Sequence, residues 1–213
     1  RPSDDACKYG FFIPGNMFAV VILGYMSELL KEIKQNELSD EALKLRKEVD
    51  DGIKKYSIFN HYKYGKIYAY ETDGLGNYLL MDDANVPSLL SIPYFKYANI
   101  EDEIYQNTRR YCLSFDNDYY YEGEVIKGIG SPHTPSGYVW HIGVALQALT
   151  TNDEQERKEL IDMILNSNAD TLFTHEGVYK DDDKIFTRSW FAWSNSLFAY
   201  LILDSKNIVC GGN

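Results

Sequence analysis

Apolar residues recur at three- and four-residue steps through most of this chain, and that period restricts it to helices more firmly than any other feature. Over residues 16–34, Phe18, Val21, Ile22, Tyr25, Leu29 and Ile33 fall on one face, the stripe of an amphipathic helix. Pro14-Gly15 supplies the break before it. Ser39 stands where an N-cap belongs for a second helix, in which Ala42, Leu45, Val49, Ile53 and Tyr56 keep the same period. A third helix begins near Asn99, with Glu101, Asp102 and Glu103 in its first turn and Arg109 and Arg110 near its end, charges that complement the helix dipole. A fourth pattern covers 137–149. A fifth opens on the capping box Thr151-x-x-Glu154 and buries Leu160, Ile161, Ile164 and Leu165. The last covers 190–203, with Trp190, Trp193, Leu197 and Leu201 on one stripe.

Between the helices lie polar connections at 61–84, 116–136 and 168–188. Loops of about twenty residues are uncommon inside compact domains and are often functional. The stretch 66–70 predicts a short strand. There is no βαβ rhythm and no residue-level repeat. The expected fold is all-α, with helix pairs joined by elaborate loops.

The 213 residues suffice for one domain with a sizeable core. A net charge of -11 argues against nucleic acid, whose backbone demands a basic face, and against anionic membranes, and it accommodates a neutral substrate. No apolar run reaches the roughly 18 residues of a membrane span, so no such span is expected. Eighteen tyrosines suit either stacking on flat ligands such as sugar rings or a Tyr-rich core. Cys7, Cys112 and Cys210 form no CxxC pair, which disfavours a thiolate metal site. An odd count builds no disulfide framework, although one bridge remains open.

Gly74-Leu75-Gly76 lacks the third glycine of a dinucleotide fingerprint, and no GxxxxGK[ST] is present. His175-Glu176 does not extend to HExxH, since Tyr179 holds the last place. Asp181-Asp182-Asp183 lacks the spacing and glycine of a calcium loop and reads as a solvated turn. No cofactor or metal is implied. What remains is loop carboxylates beside aromatics: Asp4 and Asp5, Asp73, Asp82 and Asp83, and Glu176 shortly before Trp190 and Trp193. Glycoside hydrolysis needs two carboxyl groups flanking the scissile bond, one holding a proton for the leaving oxygen and one ionised. Aromatics cover the apolar face of a sugar, while Asp, Asn, Arg and His grip its hydroxyls. Each of these residues has an ordinary reading too: the Trp stripe as core, His133 between Pro132 and Pro135 as a turn cap, the aspartates as solvated loop charges.

Four blocks add a resemblance. Arg1-Pro2-Ser3-Asp4-Asp5-Ala6-Cys7, the stretch YETDGLGNYLLMDDANVPSLLSIP over 70–93, Lys127-Gly128-Ile129-Gly130-Ser131-Pro132-His133-Thr134, and 174–198 resemble glycoside hydrolase family 125, in order and over nearly the whole chain. The resemblance implies an (α/α)6 barrel about twice this length, with residues 1–213 as its C-terminal portion and the N-terminal half absent. It implies a metal-independent, exo-acting α-mannosidase that removes non-reducing α-1,6-linked mannose from an oligosaccharide or N-glycan with inversion. Carried over, the general acid falls on Asp4 or Asp5 and the general base on Glu176, with Arg1, Asp73, Asp83, Asn85, His133, Arg188 and Trp193 as sugar contacts. The acid needs its pKa raised by burial or a neighbouring charge, which the Asp4–Asp5 pair can supply. An inverting pair stands about 6.5–9.5 Å apart to admit a water.

The chain departs from the family pattern at three places. Ser189 precedes Trp190 where a proline is expected, Gly177-Val178 follows Glu176 where Ser-Phe is expected, and His141 follows Trp140 where a proline is expected. These changes bear on the rim near Glu176. The rival readings are an inactive mannose-binding relative, a calcium-dependent barrel mannosidase and a helical-repeat scaffold. Half a barrel would also expose apolar helix faces, so residues 1–213 alone are expected to be unstable.

Overall fold

A computed structural model describes residues 1–206. Its six helices are α1 (Ile13–Glu32), α2 (Asn36–Tyr56), α3 (Glu103–Cys112), α4 (His141–Leu149), α5 (Glu154–Asn166) and α6 (Ala192–Ser205). The helix-rich reading holds, but the all-α expectation is corrected: ten short strands lie among the described residues, seven of them inside the polar connections. Those connections are too long to leave their backbone groups unpaired, and antiparallel hairpins pair them locally. By internal contacts the chain divides into two units, residues 1–82 with 86–111, and residues 83–85 with the chain from 112 onward.

In the first unit α1 packs on α2 through Met17, Val20, Gly24 and Ser27. Gly24 admits the Arg46 guanidinium, whose Cζ lies 3.4 Å from where a Cβ would stand. Ser39 is inside α2 and caps nothing. Its buried hydroxyl lies 2.8 Å from Ser27 Oγ and donates to the Ser27 carbonyl at 3.0 Å. The stripe that periodicity marked for burial is the opposite one: Phe18, Ile22, Tyr25, Leu29 and Ile33 are exposed, the last two by 67%. Two apolar faces give α1 a mean hydropathy of 1.4 over an 18-residue window. By length and composition α1 is therefore long and apolar enough to cross a membrane, which corrects the expectation that no segment reaches that size.

A sheet ordered Phe11–Phe12, Glu71–Thr72, Tyr78–Leu79 and a hairpin of Ile58–His61 with Gly65–Tyr68 complete this unit beside α3. The 66–70 strand expectation thus holds over Gly65–Tyr68. α3 starts at Glu103 and not near Asn99, because Asp102 accepts from the Tyr105 amide at 2.8 Å and acts as its cap.

In the second unit α4 is buried almost all round, as nine residues without a charge permit. Around it gather Ile126, Val139, Leu160, Ile164, Val178 and Leu201. A hairpin joins Tyr120–Glu122 to Lys127–Ile129, and a second sheet is ordered Asp182–Thr187, Gly177–Tyr179, Tyr138–Val139. Asp153, not Thr151, is the N-cap of α5, accepting from the amides of Gln155 and Glu156. Thr151 donates its hydroxyl to Glu156 instead, so the expected box is displaced by the nearer aspartate. Cys7 is exposed and Cys112 buried. Cys210 lies outside the described residues.

Candidate active site

Each unit carries one cluster of the residues singled out above. In the first, the segment 1–9 is gathered around Glu71, at the start of the strand Glu71–Thr72. Arg1 Nε donates to Glu71 Oε1 at 2.7 Å, and the Lys8 and Tyr9 amides donate to Oε2 at 2.7 and 3.0 Å. The Arg1 guanidinium also lies 5.3 Å from the centre of the Tyr70 ring. Burial alone would push the Glu71 carboxyl up. The Arg1 guanidinium and the two amides outweigh it and hold the group below the ordinary glutamate range. Within this tied segment the two aspartates differ. Asp4 is exposed and has a left-handed backbone, φ 65°. Asp5 is half-buried and accepts the Ser3 hydroxyl at 2.6 Å.

Asp73 lies elsewhere in this unit and organises its own turn, accepting from the Leu75 and Asn77 amides and from Asn77 Nδ2 at 2.8, 3.1 and 2.7 Å. These bonds, Asn77 foremost, lower its pKa. It borders a cavity of about 390 Å³ floored by Phe11, Ile13, Val49, Ile53 and Tyr56.

In the second unit Glu176 is buried at the start of the Gly177–Tyr179 strand, and Arg188 Nε donates to its Oε1 at 2.8 Å. Arg188 is exposed and left-handed, φ 53°. Its guanidinium lies 5.6 Å from the Phe191 ring centre, and Phe191 in turn meets Trp193 and Trp140 at 5.4 and 6.1 Å. Trp190 packs edge-on against Phe173 at 4.9 Å. Trp190 and Trp193 are each 60% exposed, so the stripe read as core or platform is largely open to solvent. The exposed His133 ring stands 6.4 Å from Trp140. The second unit therefore places His133 and Phe191 beside Trp140, while Phe191 meets Trp193 and Arg188, and Arg188 holds Glu176. Asp83 and Asn85 are buried in the same unit, with Asp83 Oδ1 accepting from the Asn85 amide and Nδ2 at 3.1 and 2.9 Å.

Sequence reasoning missed the groups behind these clusters. Glu71 was passed over as the neighbour of Asp73. His175 drew notice only in rejecting HExxH. His141, in sequence only a departure from the family pattern, is buried, with its Nδ1 accepting the His175 amide at 2.9 Å. Burial pushes the His141 pKa down to about 3, and nearby His175 adds to the effect. The native ring thus refuses a proton that the unfolded chain takes up near pH 6.5. Its contribution is fully present above about pH 6.5 and is lost as pH falls toward about pH 3, with a slope of about 1.4 kcal/mol per pH unit. His141→Asn keeps an acceptor for the amide and removes the titration. Urea unfolding at about pH 6 and about pH 4 should show the stability difference between wild type and variant shrinking by that slope. An unaltered difference would count against the buried neutral ring.

Each unit is thus helical and carries its own carboxylate cluster, the one in the second unit near exposed aromatic side chains. Comparison with known proteins identifies the family. The family model for metal-independent alpha-mannosidases (GH125) matches residues 1–203. The chain is 46% identical over 205 residues to the Meiotically up-regulated gene 157 protein of Schizosaccharomyces pombe, covering 96% of this chain and 40% of that protein. It also matches a metal-independent alpha mannosidase of Streptococcus pneumoniae, solved as a non-productive complex with alpha-1,6-mannobiose. That match has a TM-score of 0.96 and 45% identity, and covers 98% of this chain and 50% of the other. The chain belongs to glycoside hydrolase family 125. It spans half or less of the length of these relatives.

Proposed function

We propose that the protein containing this chain hydrolyses non-reducing α-1,6-linked mannose, exo-wise and with inversion, without a metal ion. The observation that carries this reading is Glu176. It is a buried carboxylate oriented by Arg188 beside exposed Trp190 and Trp193, in a chain whose family is described as metal-independent alpha-mannosidases. One of Asp4 and Asp5 is the general acid and gives its proton to the glycosidic oxygen as the C1–O bond breaks. Glu176 is the general base and takes a proton from the water whose oxygen bonds to C1 on the opposite face. The product is β-mannose.

Arg1, Asp73, Asp83, Asn85, His133, Arg188 and Trp193 are proposed to hold the sugar. Solvent exposure best supports His133, Arg188 and Trp193. The substrate is a mannose-containing oligosaccharide or N-glycan, as the mannobiose bound to the Streptococcus pneumoniae relative supports. The exposed apolar stripe of α1 is proposed to pack against the remainder of an (α/α)6 barrel, since a contiguous apolar face left exposed marks an interface.

The test incubates the intact protein with α-1,6-mannobiose, with and without chelator, and follows the first anomer released by NMR. β-Mannose, undiminished by chelator, is expected. α-Mannose would refute inversion, and abolition by chelator would refute metal independence. Binding without release would identify an inactive mannose-binding relative.

A further inference from the structure

Arg188 is a residue with a side chain held at φ 53°. That conformation is unfavourable for a non-glycine residue and persists only where its surroundings over-determine it. The Arg188–Glu176 ion pair is a weak candidate for that restraint, because the arginine side chain is 56% exposed and exposed pairs contribute little. Besides the contact of its guanidinium with the Phe191 ring, a restraint acts on the Arg188 main chain itself, whose carbonyl oxygen lies 3.0 Å from His175 Nδ1. A carbonyl only accepts, so a hydrogen bond here requires a proton on Nδ1.

The His175 ring is fixed on its other sides. It stacks on Phe186 with centroids 4.0 Å apart and planes 19° apart, and its Nε2 lies 3.1 Å from Thr171 Oγ1 and 3.3 Å from the Asn168 carbonyl oxygen, so a proton there finds an acceptor as well. Its main-chain amide donates to His141 Nδ1, which therefore bears no proton. The single ring proton of neutral His141 then sits on Nε2, 2.9 Å from Ser167 Oγ, and Ser167 passes its own proton to the Met163 carbonyl of α5 at 2.7 Å. The backbone carrying Glu176 is anchored independently, since Asn195 accepts from the Thr174 amide at 3.2 Å and donates to its carbonyl at 3.1 Å. What the His175 imidazole adds is its hold on Arg188.

We infer that His175 is a positioning residue: its Nδ1–H locks Arg188 in the left-handed conformation that aims the guanidinium at Glu176, and so fixes the orientation of that carboxylate. As a claim about catalysis this rests on Glu176 being the base; as a claim about structure it does not. Freed of His175, Arg188 relaxes to negative φ, its guanidinium leaves Glu176, and the carboxylate no longer holds one direction toward the water.

The experiment uses the intact protein and two substitutions. His175→Asn places a side-chain amide near the Nδ1 position and keeps a donor to the Arg188 carbonyl. His175→Gln carries its amide toward the Nε2 position and does not. On α-1,6-mannobiose, His175→Gln should lower kcat by about a hundredfold, the scale of a misplaced catalytic group, with KM little changed. His175→Asn should recover most of the loss. In protein labelled with 15N-arginine, the Arg188 Nε–H resonance, assigned by its absence in Arg188→Lys, should be protected from water exchange in wild type and His175→Asn and lost in His175→Gln. A wild type with no protected Arg188 resonance overturns the inference without recourse to any variant of His175. So does a Gln variant that keeps both kcat and the resonance, or an Asn variant that falls as far as Gln. A wild type that cleaves no mannoside defeats the mannosidase reading alone, and the resonance then still decides the lock.

Discussion

Glu176→Gln should leave the protein folded and able to bind mannose while lowering kcat on α-1,6-mannobiose by about a thousandfold, within the range general base catalysis supplies. The size of the effect follows from what the substitution keeps. The glutamine carbonyl can still accept Arg188 Nε–H where Oε1 now does at 2.8 Å, so the arginine retains its partner. What disappears is the ability to take a proton from water, because an amide oxygen is far too weak a base. Calorimetric binding of mannobiose should be close to wild type, which marks an interaction made only in the transition state. Glu176→Ala would confound this by leaving the guanidinium without its carboxylate. A Gln variant within tenfold of wild-type kcat would remove Glu176 from the base role and return the search to the carboxylates of the same unit, Asp83 first.

The helices were legible because a 3.6-residue period survives in a single sequence, whatever each helix packs against. The buried face of α1 was not. Phe18, Ile22, Tyr25, Leu29 and Ile33 are the more apolar stripe, yet the stripe pressed on α2 carries Gly24 and Ser27. Small residues permit close helix packing, and a hydropathy period gives them no weight. The cap of α5 moved from Thr151 to Asp153 because two capping residues compete within one turn and aspartate is the stronger cap. The strands hid in segments of two to six residues, too short for alternation to show. Glu176 was reached through the family resemblance and not through its chemistry alone. Its support was out of reach because it links His141 to His175 and His175 to Arg188, pairs 34 and 13 residues apart, and such contacts leave no local pattern. Arg1 stood out in the sequence only by its block; its pairing with Glu71, 70 residues away, left no trace there.

That pairing sets the largest expected effect on stability. Glu71 is fully buried, and the Arg1 side chain is only 8% exposed. Removing one partner of such a pair strands the other charge, so Glu71→Ala should cost about 3–5 kcal/mol in urea unfolding near pH 7. The pH dependence has a definite sign. The folded carboxyl titrates below its ordinary value, so its contribution is complete above the unfolded pKa of about 4.3 and is lost as pH falls through the folded one. The same carboxylate gathers Arg1 at one end of the Asp4–Asp5 segment and the Lys8 and Tyr9 amides at the other. Activity should therefore fall with Glu71 even where the protein stays folded. Arg1→Met combined with Glu71→Leu separates the two effects. An apolar pair of similar volume can restore most of the lost stability, but it offers the Lys8 and Tyr9 amides no acceptor and leaves the segment unanchored. Restored stability with depressed kcat assigns Glu71 to placing the aspartates. Restored stability with restored kcat would reduce the ion pair to one contribution among many to the fold.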